Sequence, residues 1–462
     1  MTVQRSFARR SGAASLQTSG AKGGSVAGAQ PGTKRTVRHD VQIGGLTGFV
    51  FESFSKDISA YSAGSTMSIT LPMYQPYVGT TVGNKAVDLT ATTNGNLGID
   101  LLELSQTYLP LELIVFTTLQ TDGGTFDFNN AEEFRGVVDT ITLDMNTGTY
   151  TVQASSYARI LANAKINEVF SSQILQQMTT SALAQKLVAE YGQGLKWSSH
   201  NSAFSTNVGT LMKQQLARSF MSMSVWDVLE SFALYDDADL YVEGDTLFYV
   251  KHAPDNKNIF TVTAAGATQY TYTWGTNIEK LSIQHSPMFA HDISVTVKSY
   301  QASKKSTVTS TANASTAKLQ AVTDALESGN TAKYAPMVSS ALTKAVHRGR
   351  VFKKGQATAA SISNKAQYVF SVNNLSQADC DRVAYNIFQD VSRREFIVTL
   401  GVLGQPDFNP RQIIKLQGTG TVADQIYAIK GFTTTSGTQT GYTTTFTLVN
   451  HNVQTVGANL GG

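Results

Sequence analysis

The chain has 462 residues, of which 41% are apolar and only 15% charged, and its net charge is +3. That length predicts two to four domains of roughly 100–200 residues each, and the scarcity of charge suits β-sheet and broad subunit interfaces better than a freely diffusing enzyme. A single cysteine, Cys380, excludes an internal disulfide framework, and with no run of about 18 apolar residues no membrane-spanning helix is expected.

Residues 1–36 form the first segment, read as an extended basic arm. It holds Arg5, Arg9, Arg10, Lys22, Lys34 and Arg35 and no acid. Rich in Gly, Ser and Ala, it cannot bury enough surface to order itself, so contact with a neighbouring subunit is the expected way of fixing it. An Arg-rich transit peptide is the competing reading. Against it, the glycines from Gly20 to Gly32 interrupt any amphipathic helix. No apolar core marks a secretory signal.

From Val37 to Tyr157 short apolar alternations separated by Gly, Asn and Asp predict a small barrel or sandwich. Met67–Pro72, Leu111–Phe116, Phe134–Val138 and Gly148–Val152 are its clearest strands, and Asp100–Thr107 a helical excursion. Residues 158–255 change period and read as an α+β domain. Leu183, Leu187 and Val188 share a helical face, and Ser224-x-x-Asp227 is a capping box ahead of Val225, Val228, Leu229 and Phe232. A hairpin follows, turning at Glu243-Gly244-Asp245.

Residues 256–300 return to strands and are grouped with 366–455 as a second β unit. Its helix, 376–394, opens at the box Ser376-x-x-Asp379, with Val383, Ala384, Ile387, Phe388 and Val391 along one stripe. Cys380 is expected as a small buried group on that helix. Between them, 301–365 reads as a basic, partly helical insertion, with Leu319, Val322 and Leu326 at helical spacing. It bears ten Lys or Arg against Asp324 and Glu327. Arm and insertion therefore contribute +6 and +8, which leaves about −11 on the rest of the chain. The uniform basicity expected of a nucleic-acid binder is absent. A weak repeat relates Gly136 and Gly148-Thr149-Tyr150 to Gly431 and Gly441-Tyr442-Thr443.

Few residues suggest chemistry. Glu132-Glu133 and Asp236-Asp237 with Asp239 are the candidate carboxylate pairs for a glycosidase. His285 and His291 with Asp292 are the candidate metal group. No GxSxG elbow and no GxxxxGK[ST] loop is present. The basic segments could contact DNA phosphates, but their aromatic interleaving is thin.

The C-terminal segment is more specific. Gln377-Ala378-Asp379, Arg382-Val383-Ala384 and Arg393-Arg394 precede Val402–Pro406, Asn409-Pro410, Ile413–Gly418, Gln425–Ile429 and Tyr442–Leu448. This order resembles the late control D and baseplate hub family of contractile-tailed phages, related to the hub part of type VI secretion spikes. Asn409-Pro410-Arg411 replaces the family's usual Pro-Gly, and Thr stands where the family often has His after the Tyr427–Ile429 strand. Both departures bear on the subfamily. Upstream, Phe134–Arg159 and Ser224–Val250 resemble the family's first-barrel and helix-then-strand phrases. The match runs from Val37 to Val449, without arm and insertion.

The resemblance implies an α+β, mainly β fold: two tube-protein-like β-barrels with an inserted α+β domain. It implies a homotrimeric ring in the virion tail baseplate, adapting a hexameric tail tube to a trimeric spike around the DNA channel, with no catalysis and no cofactor. Passing DNA would not be bound specifically. The basic residues Arg5, Arg9, Arg10, Lys304, Lys305, Arg348, Arg350, Lys353 and Lys354 are expected to contact neighbouring baseplate proteins. A tail-associated cell-wall hydrolase and a DNA-organising protein are the alternatives.

Overall fold

The computed structural model describes residues 25–27, 35–59, 64–75, 79–82, 85–88, 100–107, 110–121, 124, 126–166, 177–208, 223–236, 238–251, 269–286, 293–301, 305–313, 366–371, 375–392, 394, 396–410, 412–421, 423–437 and 441–450. In chain order β1 (Ser25–Ala27) comes first, at the sheet edge of the second β unit, and the first β unit begins with β2 (Arg35–Ile43), β3 (Leu46–Phe49), β4 (Ser53–Ser59), β5 (Thr66–Pro72), β6 (Gly79–Val82) and β7 (Lys85–Asp88). It continues with α1 (Leu101–Thr107), β8 (Glu112–Thr121), β9 (Phe126–Asp144) and β10 (Thr149–Ser155). Strict alternation decides which face is buried. In β5, Met67, Ile69 and Leu71 point inward and their neighbours do not. They pack with Val41, Leu113, Val115 and Val152, each such side chain contributing about 1.5–3 kcal/mol.

The α+β segment comprises α2 (Ala158–Asn163), α3 (Thr180–Tyr191), β11 (Lys196–Trp197), α4 (Val225–Asp236), β12 (Ala238–Glu243) and β13 (Thr246–Lys251). Its caps are local and readable. Thr179 Oγ1 accepts from Ala182 N at the start of α3. At α4, Ser224 Oγ accepts from Asp227 N at 3.1 Å while the Asp227 carboxylate accepts from Ser224 N at 3.2 Å. Leu183, Leu187, Leu229, Phe232 and Tyr249 fill the core between these helices and the three-stranded sheet β11-β13-β12.

The remaining elements are β14 (Gln269–Thr273), β15 (Lys280–His285), β16 (Ile293–Gln301), β17 (Ser306–Asn313), β18 (Ala366–Ser371), α5 (Gln377–Ser392), β19 (Phe396–Leu403), β20 (Ile413–Gln417), β21 (Ile426–Gly437) and β22 (Gly441–Asn450). Here the structure departs from the sequence reading. Strand β16 and helix α5 do not join the second β unit. They form their own layer with the sheet β17-β16-β18, around Val295, Val297, Cys380, Val383, Phe388 and Val391. The apolar stripe of α5 covers the inward valines of β16. Ser306–Asn313, assigned to the insertion, is a strand: Thr307, Thr309 and Thr311 alternate with Val308, Ser310 and Ala312, and β-branched residues suit a pleated surface. Helix α5 ends at Ser392, before Arg393 and Arg394. The helix expected within 312–327 lies outside the described residues, apart from Ala312 and Asn313, which belong to β17.

The two β units share one 16-stranded sheet. The join is β21, whose first part pairs with β20 and whose second part pairs with β4, from Gly431 opposite Ser59 to Gly437 opposite Ser53. A Cβ at Gly431 would lie 2.7 Å from the Ile58 carbonyl oxygen, so the crossing needs glycine there. The repeat-like hairpins β9–β10 and β21–β22 lie on opposite sides of the β4–β5 pair. The fold is α+β and mainly β. Among the described residues the ladders run as an open path, and neither unit closes on itself through hydrogen bonds. Two features extend the sheet beyond the expected boundary at residue 37. Strand β2 begins at Arg35, and Ser25–Ala27 of the arm pairs in parallel with Gln269–Thr271. Those three residues are held by the chain's own sheet.

Candidate functional site

Of the basic residues expected to contact neighbours, Lys305 is described. It is exposed, with φ of +50°, in the turn between β16 and β17. Arg5, Arg9, Arg10, Lys304, Arg348, Arg350, Lys353 and Lys354 lie outside the described residues. His285 stacks on Phe396 with ring centroids 4.4 Å apart, while His291 and Asp292 lie outside. Among the described residues no group of three or more His, Cys, Asp or Glu is placed to hold a metal.

The carboxylate candidates separate. Asp236 is buried and accepts from Thr180 and from Tyr249; Asp237 lies outside the described residues. Glu132 is exposed and pairs with Arg135 at 2.9 Å. Glu133 turns inward. The β8–β9 register passes from Val115 opposite Phe134 to Phe116 opposite Glu132, so Glu133 is the extra residue of a β-bulge. A bulge re-aims a side chain, and here it drives a carboxylate into the interior.

Glu133 thereby becomes the centre of a buried polar network between the two β units. Lys56 on β4 forms an ion pair with its carboxylate, and Lys56 Nζ also donates to its carbonyl oxygen at 3.1 Å. Tyr442 on β22 donates to Oε2 at 2.5 Å, and Thr117 on β8 donates to the same oxygen at 3.2 Å. Lys56 and Glu133 side chains are 2% and 0% exposed, so each charge depends on the other. Lys56 also sits 5.6 Å from the Phe432 ring centroid, a cation–π contact.

Thr117 gives its proton to Glu133, so its oxygen accepts from His39 Nδ1 at 2.9 Å. His39 Nε2 then accepts from Ser436 Oγ at 3.0 Å. Burial lowers the His39 pKa to about 4, opposed by the nearby Glu133 charge, so the ring is neutral near pH 7. Burial, and then the Glu133 charge, push the Tyr442 hydroxyl well above its ordinary value. His39 meets Phe54, Tyr442 and Phe51 edge-on at 4.9, 5.1 and 5.5 Å. The chain Ser436–His39–Thr117–Glu133, with Lys56 and Tyr442, ties six strands together. Each of these six side chains is hydrogen-bonded to another of them, so the arrangement suits a fixed joint between sheets.

Sequence reading missed Lys56 and His39. Lys56 left a signal: it stands in phase with the inward Phe54 and Ile58. Beside the network lies a half-open cleft of about 550 Å³, bounded by β2, the tip of the β21–β22 hairpin and the end of β19.

No protein-family model matches the sequence, and no curated protein matches it. Solved structures do resemble the chain. The crystal structure of the tail protein from Neisseria meningitidis MC58 is 12% identical, covering 91% of this chain and 98% of that one, with a TM-score of 0.54. A prophage MuSo2 tail protein from Shewanella oneidensis is 9% identical over 90% and 99%, with a TM-score of 0.49. A prophage tail protein from Listeria monocytogenes is 10% identical over 91% and 98%, with a TM-score of 0.45. The first of these shows that the chain has the fold of that tail protein over nearly its whole length.

Proposed function

We propose that the chain is a non-enzymatic structural subunit of a phage tail baseplate, a hub in a contractile tail. One observation carries this reading: the fold shared with a tail protein extends over 91% of the chain. Three copies would form a ring in which the two β units of each chain serve as tube-like barrels. Six such positions would match a hexameric tail tube above, and a trimeric spike would bind below. The buried seam supports the reading because it holds the two units of one chain at a fixed relative position, as a symmetry adaptor requires. Glu133 and Asp236 are engaged inside the protein, which fits a framework role better than a hydrolase.

The excess of acid outside the arm and insertion would let DNA phosphates pass the ring without adhering. Arg5, Arg9, Arg10, Lys304, Lys305, Arg348, Arg350, Lys353 and Lys354 would contact neighbouring baseplate proteins. Native mass spectrometry of the purified chain tests the ring directly. The expected species is about 149 kDa, three times the 49.7 kDa chain; a monomer at every concentration up to about 100 μM, well above the Kd expected for a stable ring, counts against it.

A further inference from the structure

We propose that the cleft beside the seam docks an extended segment of a partner polypeptide, one that carries an aromatic side chain next to a carboxylate. Three observations converge there. The first is an open strand edge. Residues 35–43 of β2 pair with β8 on one side, but on the other side β3 begins to pair only at Val41. Among the described residues nothing pairs with the edge from Arg35 to Asp40, and an added strand gains main-chain hydrogen bonds there.

The second observation is the shape and lining. Arg35, Val37 and His39, on one face of β2, line the cleft opposite Tyr442 and Phe51. Glycine at 437 leaves bare backbone along part of the wall, so a flat ring can approach closely. About 550 Å³ holds one aromatic side chain and its neighbour, within the roughly 300–1,000 Å³ range of ligand clefts.

The third is charge. Arg35 Nη2 pairs with Asp127 at 2.8 Å, whereas its Nη1 is buried with no acceptor among the described residues. A guanidinium presents a rigid fork of donors, and a buried donor without a partner is costly. A carboxylate brought in along β2 and reaching the guanidinium after a small side-chain shift would satisfy it. Glu52 on the same cleft disfavours a uniformly acidic ligand, which restricts the carboxylate to the Arg35 end.

The inference does not depend on the hub reading, and the isolated full chain tests it. Fluorescein-labelled hexapeptides carrying a single adjacent Phe and Asp at one end and Thr and Ser elsewhere, and the same peptides with Asn for Asp, are titrated by fluorescence polarisation. The Asp peptides are expected to bind saturably. Binding should weaken at least tenfold for the Asn peptides and for Arg35→Gln, and be lost in Val37→Trp, which fills the cleft. Circular dichroism checks that each variant folds; should Arg35→Gln unfold, Leu403→Trp from the facing wall decides, with loss of binding expected. Equal affinity for Asp and Asn peptides, binding unchanged by the filling variants, or no binding at millimolar peptide would overturn the proposal. Concentration-dependent dimers that disappear in Val37→Trp would assign the cleft to a second copy, and overturn it too.

Discussion

A fully buried ion pair is a poor source of net stability but a costly thing to break. Lys56→Met strands the Glu133 charge and should destabilise the fold by about 3–5 kcal/mol, read from urea midpoints. Lys56→Met with Glu133→Gln removes both charges while leaving an acceptor for Tyr442 and Thr117, and should recover most of that loss; a double variant as unstable as the single one would show that the pair does more than neutralise itself. His39 gives a pH signature. Its folded pKa of about 4 lies below the ordinary 6.5, so between those values the folded state binds fewer protons than the unfolded one. Its contribution to stability is therefore full above pH 6.5 and is lost as pH falls toward 4. His39→Gln should flatten the difference in unfolding midpoint between pH 7 and pH 4.5. An unchanged slope would mean that the ring titrates normally.

At the scale of elements, the weight falls on β21, which belongs to both β units. Gly431→Ala places a methyl group against the Ile58 carbonyl. Amide exchange of Ser53–Ser59 should then accelerate by more than tenfold while α3 and α4 keep their protection. Equal acceleration everywhere would show a global rather than a local effect. Elements fixed by neighbouring residues were legible in the sequence: the Ser224–Asp227 cap, the hairpin turning at Gly244, the alternation of β5. The join was not, because Asp57 and Thr433, hydrogen-bonded across it, are 376 positions apart and no local pattern links them. Helix α5 was legible as an apolar stripe, but the surface it covers was not. Lys56 could have been found from its phase. Glu133 could not, since a bulge changes which face a residue takes without changing the residues around it.

For the whole molecule, the seam and the open sheet path have different consequences. Within one chain, the polar network fixes the two units against each other. Between chains, the sheet edges left open among the described residues are places where another subunit would pair or cover them, and a ring of subunits is one way of doing so. The charge split has a matching logic, with acid on the body and base on the segments that would reach other proteins. The proposal that these features serve a trimeric hub is tested most directly by electron cryomicroscopy of the assembled particle. The expected result is three copies of the chain around the tail axis, between a sixfold tube ring and the spike. Six copies, or a position away from the axis, would contradict it.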